Sequence, residues 1–118
     1  MADAGLFIGW GEVVRGREAA AVETFNSTME YFGGLQADGT IESVEPVFLE
    51  PHGGDLQGFF FLRGDAEALA ALRVSTEFQS TIIGVGLIVD NVGVVGASTG
   101  ARLENLMGSY TEQIGAFA

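Results

Sequence analysis

Two strand-like segments carry large apolar side chains on both faces, and this limits the architectures open to the chain more than any other feature. In LFIGWGEVV, residues 6–14, a two-residue period sends Leu6, Ile8 and Trp10 one way and Phe7, Gly9, Gly11 and Val13 the other. In LQGFFFLR, residues 56–63, Leu56, Phe60 and Leu62 share one face and Phe59 and Phe61 take the opposite one. A sheet built from such strands must be covered twice. Leaving about four such side chains in water would forgo about 1.5–3 kcal/mol each.

The intervening segments read as helices. Val22, Phe25, Met29 and Phe32 recur at steps of three and four, and Gly33-Gly34 is expected to end that helix. IESVEPVFLEP, residues 41–51, contains Pro46, which removes one ladder donor and places the strand at a sheet edge. Asp65 is an N-cap for AEALAALR, with Glu67 in the first turn. A break near Ser75 is followed by a Thr76/Gln79 capping box and by Phe78, Ile82, Val85 and Val89 at helical spacing. VGVVGAS, residues 92–98, is the last strand, and a final helix over 101–117 carries Leu103, Leu106, Tyr110, Ile114 and Phe117 on one stripe.

The order β-α-β-β-α-β-α describes one α+β domain over residues 1–118. Its 6–98 core has the ferredoxin-like βαββαβ pattern, with an extra C-terminal helix over 101–117. Both crossover helices then lie on one face of a four-stranded antiparallel sheet, and the other face is left bare. The economical cover is a second copy of the chain, sheet against sheet, which predicts a homodimer. Deleting residues 101–118 is expected to expose apolar surface and promote aggregation.

RGDAEALAALRVSTEF, residues 63–78, and VVRGREAAAVETF, residues 13–25, resemble the strand-to-helix stretches of the dimeric α+β barrel superfamily. The resemblance covers residues 6–98 and rests on patterns of residue type. It implies the fold and pairing just described. The superfamily includes cofactor-free oxygenases of the antibiotic-biosynthesis type, haem-degrading enzymes, muconolactone isomerases and stress-responsive small barrels, so it names no single reaction. The histidine with which the haem-degrading members hold iron has no counterpart on the second-half helix here.

Composition closes several routes to function. Sixteen acidic residues against five basic ones give a formal charge of −11. All five basic residues are arginines, scattered along the chain, which argues against nucleic acid and anionic membranes as partners. Without lysine there is no Schiff-base chemistry and no P-loop, and without cysteine no thiolate catalysis or disulfide. No cofactor is implied. The longest apolar run, IIGVGLIV, is far short of the roughly 20 residues that span a bilayer. With no signal-peptide pattern at the start, a cytoplasmic protein is the expectation.

Few candidate sites remain. His52, the single histidine, sits in EPHGGD between two strands and reads as an exposed hairpin tip. With Glu50 and Asp55 it offers three metal-ligand types without a fourth, and no metal site is assigned. Trp10, Phe59 and Phe61 are candidates for an apolar ligand pocket between the sheet and either its partner or its helices. Glu12, expected to share a strand face with Trp10, is the candidate base, since a carboxylate against an apolar interior has a raised pKa. Arg15 and Arg17 flank a helix start that suits a small anion, and Tyr31 and Tyr110 are candidate hydrogen-bond donors. Three readings follow. The first is a homodimeric barrel binding a small apolar molecule, the second a cofactor-independent oxygenase or isomerase acting on an aromatic or polyketide-like substrate, and the third an assembly subunit.

Overall fold

A computed structural model describes residues 2–117. The elements run β1 (Ala4–Trp10), α1 (Glu18–Ala37), β2 (Ser43–Phe48), β3 (Gly58–Gly64), α2 (Ala66–Arg73), α3 (Thr76–Gly86), β4 (Gly93–Ser98) and α4 (Gly100–Phe117). The sheet order is β2-β3-β1-β4, and every neighbouring pair is antiparallel. This is the ferredoxin-like arrangement, with α1 and the α2/α3 pair as the two crossovers and α4 as an addition.

Register fixes which residues meet. Leu6 lies opposite Leu62, Ile8 opposite Phe60 and Trp10 opposite Gly58. These even-numbered positions face the helices and build the core with Ala4, Phe32, Ile41, Leu69, Leu72 and Phe78. β2 is an edge strand, so Pro46, paired with Phe60, gives up no interior ladder bond. At the opposite edge the Arg73 guanidinium donates to the Val94 carbonyl at 2.8 Å, tying the last turn of α2 to β4.

Helix ends show where local signals were read correctly and where they were overridden. The Asp65 carboxylate accepts from the Ala68 amide, as expected of its cap. The second cap is Ser75 rather than Thr76. Its hydroxyl accepts from the Phe78 amide at 3.3 Å, so the residue at the break itself starts α3. α1 does not stop at Gly33-Gly34 but continues to Ala37, and Leu35 of that extra turn packs against the core. The chain leaves the helix at Gly39, whose φ of +84° suits glycine.

The expected first strand over 6–14 is shorter at its far end. Ladder pairing of β1 stops at Trp10, and Glu12–Val14 instead bond the segment after α3: the Asp90 amide donates to the Glu12 carbonyl and the Val14 amide to that of Ile88. This swings residues 11–14 over the end of the sheet, towards the exit of α3.

α4 contributes nothing to the core. None of its described residues is buried, and Leu103, Leu106, Met107, Tyr110, Ile114 and Phe117 are all exposed. It makes the molecule long, 54 × 38 × 23 Å, with a radius of gyration of 16.4 Å against about 13–14 Å for a compact domain of this size.

Candidate functional site

An apolar cavity lies between α1, the end of α3 and the Trp10 end of the sheet. Trp10 and Phe60 form its floor. Ala21, Thr24, Phe25 and Thr28 of α1 form one wall, and Val85, Ile88 and Val89 the other. Phe48 closes the β2 side, and Val13, Glu18 and Val22 stand at an exposed mouth. The volume is about 360 Å³, within the range of about 300–1,000 Å³ found for small-molecule sites.

The space has a plain origin in the sequence of α1. Its inner face carries Phe25 and Phe32, which reach Phe60 of the sheet, while the smaller Ala21, Thr24 and Thr28 between and before them line the space that α3 and the segment after it leave open. The aromatic rings that do meet form a connected cluster. Trp10 contacts Phe60 at 5.0 Å, Phe48 at 5.8 Å and Phe25 at 6.4 Å between ring centroids, and Phe25 stacks on Phe60 at 5.4 Å. Such contacts add about 0.5–1.5 kcal/mol each beyond area burial. Gly58 is required beneath it. A Cβ there would stand 2.5 Å from the Trp10 ring and 2.6 Å from the Val47 carbonyl, so only glycine lets the indole lie across β3.

The structure splits the predicted pocket set. Trp10 lines the cavity, whereas Phe59 and Phe61 lie on the opposite face of the sheet, away from the helices. There Phe59 stacks on Phe7 with centroids 4.7 Å apart, Phe61 lies over Gly5, and the Arg63 guanidinium sits 4.8 Å from the Phe61 ring. These rings are only half-buried, and Val95 beside them is 56% exposed. This face is flat and aromatic, and within one chain no helix covers it.

The other candidates are dispersed. Glu12 lies beyond the end of β1, is exposed and is not among the cavity residues, so the apolar surroundings expected of it are absent. His52 is exposed and occupied by its own loop. Its Nδ1 accepts from the Gly54 amide at 3.1 Å and its Nε2 lies 2.6 Å from the Leu56 carbonyl, which assigns the proton to Nε2. The ring therefore serves as a clasp for residues 52–56. Among the described residues no cluster of three His, Asp or Glu is placed to hold a metal ion, and Glu50 and Asp55 do not form one with His52. Arg15 and Arg17 are exposed in the β1–α1 connection. Tyr31 packs against Phe32, and burial, with Glu77 nearby, raises its pKa; neither it nor Tyr110 lines the cavity.

Sequence reasoning missed Thr28, which is 3% exposed and the one buried polar residue among those described. Its signal was present. Positions 25, 28 and 32 share a helix face, and a threonine there leaves both a gap and a hydroxyl.

No protein-family model matches the sequence, and no curated protein matches it. In structure it is similar to a dimeric protein of unknown function with a ferredoxin-like fold from Bacteroides fragilis NCTC 9343. The TM-score is 0.58 and the identity 11%, over 80% of this chain and 95% of that one. The class defined by fold and site is thus a ferredoxin-like α+β protein with an apolar cavity under its helices. No helix among the described residues is long and apolar enough to cross a membrane.

Proposed function

We propose that this protein is a homodimeric binding protein for a small apolar molecule, held between α1, α3 and the Trp10 end of the sheet. The observation that carries the reading is the cavity itself: about 360 Å³ of space lined almost wholly by aliphatic and aromatic side chains. The cavity is open without any rearrangement of its lining, so little ordering opposes binding. Pairing through the open sheet face accounts for Phe7, Phe59 and Phe61, which are large and half-exposed within one chain. The dimeric state of the structural neighbour agrees with that pairing.

Trp10 is the only tryptophan, so its fluorescence reports the cavity directly. Titration with small neutral aromatics is expected to change Trp10 emission saturably, with one site per chain, and Ala21→Phe, which fills the space, is expected to abolish the change. Non-saturable changes, or unaltered binding in the filled variant, would remove the cavity as the site. Light scattering is expected to give twice the chain mass, falling to one chain mass in Phe59→Glu, which buries a charge at the pairing face. A monomeric parent protein would refute the pairing.

A further inference from the structure

We propose that the cavity selects uncharged ligands, compact one- or two-ring molecules carrying a single hydroxyl or carbonyl, and rejects carboxylates of the same shape. The inference rests on the binding reading above and names its ligand class. Two features of the lining carry it.

The first is charge. No arginine or histidine contributes to the lining, and its one charged side chain is Glu18 at the mouth. The Glu18 carboxylate is held by the Gly16 amide, which donates to Oε1 at 3.0 Å. A ligand carboxylate would therefore either face Glu18 or enter an apolar space with no counter-charge. Burying an unpaired anion there is strongly unfavourable. A chain of net charge −11 adds repulsion at longer range.

The second is the polar content of the inner wall. Thr24 and Thr28 stand one turn apart on α1 and both line the space. Thr28 is buried as a residue. None of the hydrogen bonds among the described residues engages its hydroxyl, and no sealed-in polar side-chain atom among them lacks a partner. The hydroxyl is therefore open to the cavity. As both donor and acceptor it satisfies a ligand hydroxyl or carbonyl equally.

The test is calorimetric titration of the full-length chain at pH 7 with three molecules of one shape: 4-ethylphenol, ethylbenzene and 4-ethylbenzoate. The phenol is expected to bind at least tenfold more tightly than the benzoate and several-fold more tightly than the hydrocarbon. Thr28→Val is expected to erase the phenol's advantage over ethylbenzene, and Thr28→Ser, which keeps the hydroxyl, to preserve it. Glu18→Gln is expected to narrow the gap to the benzoate. Equal binding of all three molecules, or benzoate binding best, would overturn the selectivity while leaving the cavity as a binding site. An unchanged phenol-to-ethylbenzene ratio in Thr28→Val would overturn the role of that hydroxyl. Binding of none of the three would overturn the cavity reading and this inference together.

Discussion

Phe60 and Phe61 are joined by one peptide bond and face opposite sides of the same strand. Phe60 is 3% exposed, touching Trp10, Phe25 and Phe32 beneath the helices. Phe61 lies flat across Gly5 on the bare face, half-buried, with the Arg63 guanidinium over its ring. The residue type is the same and the strand is the same. What differs is that the helices bring partners to one face, while the other has only its sheet neighbours. On the covered face, apolar side chains hold the chain together and enclose the cavity. On the bare face, the same chemistry leaves area that a second copy can bury.

Replacing each phenylalanine in turn tests that contrast most strongly. Phe60→Ala is expected to cost about 3–5 kcal/mol of unfolding free energy, through lost transfer energy and an enlarged cavity. Phe61→Ala, made in the Phe59→Glu background so that only one chain is measured, is expected to cost about 1 kcal/mol, since it buries less. Denaturant unfolding of both checks the difference; equal costs would mean that the two faces are equally packed within one chain.

Removal of α4 asks whether a second uncovered surface behaves like the first. The sequence suggests that deleting residues 101–118 would expose apolar area, yet among the described residues α4 has none buried. In the same background, a chain ending at Thr99 is expected to keep its unfolding free energy within about 1 kcal/mol of the longer one. A larger loss, measured by thermal and denaturant unfolding, would show that α4 packs on its own body. Helices in proteins draw most of their stability from packing an apolar face, so the uncovered stripe of α4 is expected to fray in hydrogen exchange while β1 and β3 remain protected.

The smallest effect lies outside both faces, at the exit of α1, and serves as a control. The Asp38 carboxylate accepts from both the hydroxyl and the amide of Thr40, at 2.6 and 2.9 Å, and these bonds lower its pKa below the ordinary value of 3.8. A carboxyl depressed in the folded state contributes stability in full above its unfolded value and loses it as pH falls through the folded one. Asp38→Asn is therefore expected to reduce stability slightly at neutral pH, and the gap from the parent chain should close as pH falls below 3.8. A gap independent of pH would assign the effect to the turn rather than to the charge.

Much of the fold was legible because its determinants are local. Two-residue alternation located β1 and β3 and assigned each side chain to a face, Pro46 marked an edge, and Asp65 and the break at Ser75 separated α2 from α3. Where local signals erred, packing from elsewhere in the chain decided. Leu35, held against the core, carried α1 past its two glycines, and bonds from Val14 and Asp90 to the opposite segment drew Glu12 off the strand. The candidate site is less legible: Trp10, Phe59 and Phe61 read as one pocket set, although alternation already puts Phe59 and Phe61 on the face opposite Phe60, and the cavity lies on the Phe60 side.

The sequence by itself determined the order of elements, the two-faced character of the central strands and the lack of lysine and cysteine side chains, since each is a property of composition or of neighbours a few residues apart. Only the tertiary structure decided that Ala21 and Thr28 of α1 face Val85 and Ile88 across a cavity, that this space lies above Trp10 and Phe60, and that α4 finds no place on its own body. A cavity is a mismatch of volume among elements tens of residues apart, and no local period records it.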